Sequence, residues 1–145
     1  MAVVSTLSNH FKYMQGTKKI DFENDSIKII LMDTAFAFNK DTHATLADVS
    51  ASEIATLYGY TQQTKILAGV SVVEDDAGDM LKVTWDDPSW TADGGDLGGE
   101  AVGAAIAYDD DTPDDTVIGC IDFGTNITVP DTIVLQIQDI EFNNT

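Results

Sequence analysis

Residues 27–33 read Ile-Lys-Ile-Ile-Leu-Met-Asp (IKIILMD), an apolar run interrupted by a single lysine. Such a run predicts a β-strand that is largely buried. Residues 80–85 (MLKVTW) alternate instead. Leu81, Val83 and Trp85 lie on one face and polar residues on the other, as in a strand with one buried face. Because both kinds of segment stand among Asp- and Gly-rich turns, the sequence predicts a mainly β protein.

Four more apolar segments predict further strands. These segments are 65–73 (KILAGVSVV), 101–108 (AVGAAIAY), 117–123 (VIGCIDF) and 132–140 (TIVLQIQDI). In the last of them, Ile133, Leu135 and Ile137 are expected to share a buried face. The polar turn at 75–79 is expected to join two strands into a hairpin. The pattern favours an antiparallel β-sandwich or a jelly-roll-like fold.

An N-terminal helix is also predicted. It is indicated by apolar residues that recur at helical spacing and share one face: Val4, Leu7, Phe11 and Met14. Gly16 follows as a candidate C-cap. This apolar face either packs on the sheet or docks on a neighbouring subunit. Residues 1–19 are therefore a possible docking helix or arm, and residues 20–145 are the expected β-sandwich core.

A second short helix is predicted near 51–57, because Ser50 and Glu53 have the spacing of a capping box. The whole chain, residues 1–145, fits a single domain. No apolar run approaches the roughly 18 residues needed to cross a membrane, and the N-terminus does not read as a secretion signal.

Charge is the most unusual property of the composition. The chain has 25 acidic residues and seven lysines, with no arginine, and a formal net charge of −18. Nearly all of the excess lies in residues 74–145, where Lys82 is the only basic residue. A surface this acidic repels nucleic-acid phosphates and anionic lipid headgroups. We therefore expect no nucleic-acid partner and no membrane partner.

The residue types that carry catalysis are sparse. His10 and His43 do not stand at the spacing of a metal site or a catalytic triad. Cys120 lies within an apolar strand and is expected to be a buried core residue. The glycines of 94–99 are interspersed with acids, so they are expected to form a flexible or tight turn rather than a phosphate-binding loop. We expect no catalytic residues, no enzyme activity and no cofactor.

The acidic turns have two interpretations. The main one is that they are solvated. The alternative is a Ca²⁺ or Mg²⁺ site in the turn at 109–115, possible because carboxylate oxygens are the preferred ligands of these ions. Its candidate ligands are Asp109, Asp111, Asp114 and Asp115.

The two tryptophans are expected to differ in role. Trp85 shares a strand face with apolar neighbours and is expected in the core. Trp90 follows Pro88 in a loop, where it either pins the loop or anchors a partner subunit. Together with the apolar face of the N-terminal helix, Trp90 completes the set of interface candidates.

Several segments, in this order, resemble a family of small virion proteins of tailed bacteriophages. They are DSIKIILMD (25–33), DTHATLADVSASEI (41–54), GYTQQTKILAGVSV (59–72), VTWDDPSWTADGGDLGG (83–99), AIAYDDDTPDDTVIGCIDFG (105–124) and TIVLQIQ (132–138). The resemblance implies a non-enzymatic capsid decoration (cement) protein or head accessory protein with a β-sandwich core. It implies no catalytic residues.

From this resemblance we expect the chain to be made in the host cytoplasm and to bind the major capsid protein at the capsid surface. It is expected to form a homo-oligomer, a dimer or trimer. One alternative is a tail or baseplate component. Another is a carbohydrate- or receptor-binding module, in which Tyr58, Tyr60 and Trp90 would stack on the ligand. The charge distribution suggests that the lysine-bearing half, residues 1–73, faces the shell.

Overall fold

The computed structural model describes residues 6–144. It is mainly β, with two short α-helices. In chain order the elements are β1 (Thr6–Leu7), α1 (Asn9–Gly16), β2 (Ile27–Asp33), α2 (Leu46–Val49), a 3-10 turn (Ser50–Ser52), β3 (Ser71–Asp75), β4 (Met80–Thr84), β5 (Ser89–Thr91), a second 3-10 turn (Leu97–Gly99), β6 (Val102–Asp109), β7 (Thr116–Ile127), β8 (Val134–Gln136) and β9 (Glu141–Asn144).

All the sheets are antiparallel, as the alternating segments predict. The largest sheet has the strand order β1-β7-β6-β2, a second has the order β3-β4-β9, and β5 pairs with β8. β2 pairs with β6 over its whole length, from Ile27 opposite Asp109 to Asp33 opposite Val102. The predicted mainly β, antiparallel fold with two short helices is confirmed.

Strand β2 is apolar at Ile27 and at 29–32 because both of its faces are buried. Ile27, Ile29 and Leu31 face the main core, which the four-stranded sheet shares with the two smaller sheets. Ile30 and Met32 face a second core on the opposite side of the sheet. A strand covered on both sides needs no polar face, so its sequence reads as a continuous run rather than an alternation.

The two cores give the molecule a sandwich-like arrangement. In the main core, Val83 and Phe142 from β4 and β9, and Trp90 from β5, pack with residues of the four-stranded sheet. On the outer face of that sheet, Phe36 and Phe38 from the segment after β2 pack on the second core. Burial of this apolar surface, at about 25 cal/mol per Å², is the main force holding the layers together.

The edge of β2 that does not pair with β6 is covered by the segment that follows α2. Ile29 N–H donates to the Lys65 carbonyl (3.0 Å), and Leu67 N–H donates to the Ile27 carbonyl (2.8 Å). Ile54 N–H donates to the carbonyl of Leu31 (3.0 Å). An uncovered strand edge would present unpaired backbone groups to other chains. This segment therefore closes one side of the largest sheet.

One side chain takes part in this edge closure. Leu31 N–H donates to the hydroxyl oxygen of Tyr60 (3.0 Å), and that hydroxyl donates to Glu53 Oε1 (2.7 Å). Glu53 also accepts from the backbone and side-chain N–H groups of Gln63. Tyr60 and Glu53 are both buried, and burial raises the pKa of both groups. The carboxylate is compensated by three donors, as a buried charge requires.

The N-terminal helix begins later than the apolar spacing predicts. Leu7 lies in β1, opposite Gly119 of β7, and Ser8 caps a helix that starts at Asn9. Backbone pairing with β7 thus takes Leu7 away from the predicted helical face. Val4 lies outside the described residues. Because α1 packs on β7, residues 6–19 are joined to the sheet and do not form a separate arm.

The second helix also differs from its predicted position. The helical residues are Leu46–Val49 and Ser50–Ser52, not 51–57. The N-cap of this helix is Thr45, and Asp48 at N3 forms a capping box with it, its carboxylate accepting the N–H of Thr45 (2.9 Å). Ser50 and Glu53 do not form the predicted capping box, because Glu53 is extended, pairs with Met32 and binds Tyr60 instead.

Two predicted strands are shorter in the structure. The segment 65–73 supplies only the start of β3; Ile66 forms an isolated bridge to Lys28, and positive φ at Gly69 separates that bridge from the strand. The segment 132–140 supplies only the three residues of β8. Ile137 is buried as predicted, but Ile133 is 50% exposed. The expectation of one shared buried face is therefore wrong for Ile133. Positive φ at Thr132 and Asp139 interrupts the extended backbone at both ends.

Replacing the buried tyrosine tests the edge closure. Tyr60→Phe removes the hydroxyl that joins Leu31 N–H to Glu53, and we expect a loss of about 1–3 kcal/mol in unfolding free energy. Urea unfolding followed by fluorescence measures this loss. Tyr58→Phe is the matched control, because Tyr58 is 41% exposed, and it should change stability by less than about 0.5 kcal/mol. Equal effects of the two changes would contradict the proposed role of Tyr60.

The buried carboxyl of Glu53 predicts a specific pH dependence. Burial raises the pKa of Glu53 above its ordinary value of 4.5. The folded state therefore retains this proton at pH values where the unfolded state has lost it. The contribution of this group to the free energy of unfolding is fully present below the ordinary pKa of Glu53. It is lost as the pH rises through the pKa of Glu53 in the folded state. Relative to Glu53→Gln, the wild-type free energy of unfolding should fall over that window. Parallel pH profiles for the two proteins would contradict this expectation.

Candidate functional site

The acidic turn after β6 gathers only part of the predicted ligand set. Asp109, the last residue of β6, and Asp111 lie together with Asp25, which precedes β2. One carboxylate oxygen from each of the three lies within 4.8 Å of the other two. We call Asp25, Asp109 and Asp111 the aspartate cluster. Asp25 was missed because it lies far from the turn in sequence and reaches it only through the pairing of β2 with β6.

Asp114 and Asp115, also predicted as ligands, lie outside the aspartate cluster. The Asp114 carboxylate contacts His10 Nε2 (2.7 Å) and accepts the hydroxyl of Thr116 (2.6 Å). Although burial opposes the shift, these contacts hold the pKa of Asp114 below its ordinary value. Asp114 thus ties the turn to α1 through His10. The four-residue ligand set predicted from the turn is replaced by a set of three that includes Asp25.

The aspartate cluster has an unusual electrostatic environment. Asp109 is fully buried. Burial and the neighbouring Asp25 carboxyl raise the pKa of Asp109 to about 7. Lys28, on the paired strand, forms its ion pair with Asp110 at 2.8 Å. Like charges this close are unfavourable unless a proton or a cation offsets them.

The predicted interface residues are mostly buried within the chain. Phe11 is fully buried in the main core and Met14 is 8% exposed. Leu7 is partly buried against the same core. Trp90 is 5% exposed, contacts Tyr60 and lies beneath the ammonium group of Lys65. These side chains stabilise the domain itself, and the structure favours the interpretations of a packed helix and a pinned loop.

Exposed apolar side chains occur elsewhere, on three loops that are joined by backbone hydrogen bonds. Asp93 N–H donates to the Tyr58 carbonyl (3.1 Å), and Ala92 N–H donates to the Ile133 carbonyl (2.9 Å). Four exposed apolar residues lie on these segments, and we call them the loop patch: Leu57 (43%), Tyr58 (41%) and Ile133 (50%) on the loops, and Val134 (53%) at the start of β8. The alternation of residues predicts Ile133 in the core, and Tyr58 is predicted only as a sugar-stacking residue. Their exposure depends on turns that the alternation of residues does not reveal.

The other residues considered for chemistry, Cys120 and His43, lie in surroundings that suit a structural role. Cys120 is buried, and burial raises its thiol pKa to about 12, which is unfavourable for a nucleophile. His43 Nδ1 accepts the N–H of Asn39 (3.1 Å), and its ring stacks on Phe36. Trp85 is buried in the main core as predicted. These observations confirm the predicted burial of Cys120 and Trp85.

The glycine-rich segment forms a tight turn beneath the loop patch. Gly98 has φ +68° and donates its N–H to the carbonyl of Leu57 (3.0 Å). A side chain added there would place its Cβ 2.4 Å from Ile54 Cδ1 in the main core. Only glycine combines this backbone conformation with so close an approach. This is the predicted tight turn.

The charge halves of the sequence do not become two faces of the molecule. β1 and β2, from the less acidic half, occupy the two edges of a sheet whose centre is β7 and β6 from the acidic half. The halves therefore interleave.

Comparisons with known proteins give no relative. No family model, no curated protein and no solved structure matches this chain. Among residues 6–144, no helix is long and apolar enough to cross a membrane.

Two glycines with the same backbone conformation test the glycine turn. Gly98→Ala adds a Cβ against Ile54, whereas Gly124, with φ +70°, has no other atom within 4 Å of an added Cβ. We expect Gly124→Ala to lose about 1–2 kcal/mol from left-handed strain alone. Gly98→Ala should lose a further ~1–3 kcal/mol from overpacking. Thermal and urea unfolding measure both, and equal losses would contradict the packing argument.

Proposed function

We propose that this chain is a non-enzymatic virion structural protein of a tailed bacteriophage, acting as a capsid decoration (cement) protein on the major capsid protein. Several segments of the sequence, in the same order along the chain, resemble small virion proteins of tailed bacteriophages, and this resemblance suggests a virion structural protein. The loop patch is the structural observation that carries the proposal. Exposed apolar side chains on segments that backbone hydrogen bonds join are suited to a protein–protein contact site.

The loop patch is suited to binding because its backbone is fixed before contact. The three loops are joined by hydrogen bonds, and Gly98 packs directly on Ile54 in the core. A surface held in place loses little conformational entropy when a partner binds. A decoration protein needs such anchors, together with a surface that stays soluble when many copies are crowded on a shell.

The net charge of −18 supplies that solubility. A net charge far from zero suppresses self-association at high local concentration. The loop patch then provides local attraction while the rest of the surface repels other copies. We propose a symmetric dimer or trimer as the binding unit, since avidity strengthens attachment to a repeating lattice. Light scattering on the purified chain measures the oligomer.

Of the three aromatic residues suggested for sugar stacking, Tyr60 and Trp90 are buried and only Tyr58 is exposed. A single exposed ring does not favour the carbohydrate-binding alternative over the capsid one.

A pair of variants tests the role of the loop patch. Ile133→Ser with Val134→Ser removes two exposed apolar side chains, and we expect binding to heads assembled without this protein to weaken at least ~10-fold. Val73→Ser is the matched control. Val73 is 49% exposed on β3, in a different sheet. Capsid occupancy is measured by quantitative gels after sedimentation, with circular dichroism to verify folding.

The outcomes separate the possibilities. Loss of binding in the double variant with wild-type binding of the control supports the proposal. Unchanged binding of the double variant would remove the loop patch from the interface. Cryo-electron microscopy of virions tests the class itself: density over the shell supports a decoration protein, density on the tail indicates a tail or baseplate component, and no copies in virions contradicts both.

A further inference from the structure

The end of the four-stranded sheet at which β2 begins and β6 ends carries the aspartate cluster. Ile27, the first residue of β2, pairs with Asp109, the last residue of β6. Asp25 lies two residues before that pair and Asp111 two residues after it. Sheet pairing therefore fixes the relative position of two segments that are remote in sequence.

Each of the three carboxylates is oriented by a backbone N–H. Asp25 Oδ2 accepts from Asp21 N–H (2.7 Å), and Asp111 Oδ2 accepts from Ser26 N–H (2.6 Å). Asp109 Oδ1 accepts from Asp111 N–H (3.0 Å). Each carboxylate thus uses one oxygen to fix its orientation and retains a second oxygen that can serve as a ligand.

Asp109 provides an observation independent of the clustering. Its side chain is fully buried, yet among residues 6–144 no N–H or hydroxyl group donates to Oδ2, and the Asp109 carboxyl lies beside the carboxyl of Asp25. A buried carboxylate oxygen without a donor is costly, and this oxygen belongs to the carboxylate that the other two acids approach within 4.8 Å. A buried acid in a native protein takes up a proton, pairs with a cation or coordinates a metal.

We propose that Asp25, Asp109 and Asp111 form a Ca²⁺-binding site at this end of the four-stranded sheet. Two oxygens that ligate one Ca²⁺ at 2.3–2.6 Å stand at most about 5 Å apart, which the cluster satisfies. Ca²⁺ accepts irregular sets of oxygen ligands, completed by water or carbonyl groups, whereas Mg²⁺ demands a near-ideal octahedron. Two exposed or half-exposed acids beside a buried one suit the more tolerant ion.

The site would act as a structural clamp. Asp25 belongs to the turn before β2, and Asp111 belongs to the turn between β6 and β7. A cation held by both, and by Asp109 between them, joins the two turns and removes the repulsion among three carboxylates. Because Ca²⁺ would bind only the folded arrangement, its binding free energy adds to stability.

The test measures Ca²⁺ binding and melting temperature on the full chain after removal of metal with a chelator. At about 100 times the dissociation constant, a ligand specific to the folded state raises the melting temperature of a domain of this size by roughly 5–10 °C. We expect such a shift with millimolar CaCl₂, at ionic strength matched by KCl, and one bound Ca²⁺ per chain by titration calorimetry.

Variants separate this site from general screening of the acidic surface. Asp109→Asn and Asp111→Asn should each abolish the calcium shift. Asp76→Asn, which removes one exposed charge from a different acidic turn, should retain it. If Asp109→Asn fails to fold, Asp111→Asn still decides, because Asp111 is exposed. In chelator, Asp109→Asn should melt no lower than wild type, since it relieves a buried charge.

Three results would overturn the proposal. They are no calcium shift in the wild type beyond that of matched KCl, equal shifts in Asp111→Asn and Asp76→Asn, or a stoichiometry far from one. An equal shift with MgCl₂ that the cluster variants abolish would overturn the assignment to calcium. None of these readouts depends on capsid binding.

Discussion

The closure of the β2 edge is the constraint on which the remainder of the structure depends. β2 is buried on both faces and pairs with β6 on one side, so its remaining edge has to find backbone partners in a dry environment. The segment 53–67 supplies them, and the hydroxyl of Tyr60 substitutes for a strand where the chain bends away. The Tyr60 hydroxyl donates to Glu53, which is therefore buried. Burial of Glu53 in turn fixes the start of the segment that leads to Leu57 and Tyr58 of the loop patch.

This constraint also relates the two candidate sites to each other. The aspartate cluster lies at the start of β2. Glu53, which begins the segment leading to the loop patch, lies near the end of β2, opposite Met32. The same strand therefore positions both. The aspartate cluster and the loop patch differ in their charge. At the cluster, acids are crowded together and one is buried, whereas on the loop patch apolar residues are presented to solvent on a protein that is otherwise strongly acidic.

Sequence patterns were sufficient for the central strands but not for the long-range contacts. IKIILMD, AVGAAIAY and VIGCIDF are apolar because they occupy the middle of a covered sheet, and local composition records that burial directly. The Tyr60–Glu53–Leu31 bonds have no local signature, and the capping spacing at Ser50 was misleading because Glu53 was already engaged in the core. Likewise, Asp109 and Asp111 were readable as neighbours, whereas Asp25 joins them only through strand register. Ile133 looked like a core residue because positive φ at Thr132 cannot be read from alternation.

The pairing of β2 with β6 has a consequence for how the chain is made. Ile27 is synthesised early, but its partner Asp109 and the neighbouring β7 emerge only after most of the chain has left the ribosome. Until then the most apolar segment of the protein has no sheet to join, and contacts so distant in sequence form slowly. Nascent chains are therefore exposed to aggregation through residues 27–33. Residues 74–101 emerge before β6, and their nine acidic residues repel neighbouring chains during the later part of this interval, before the protein has folded.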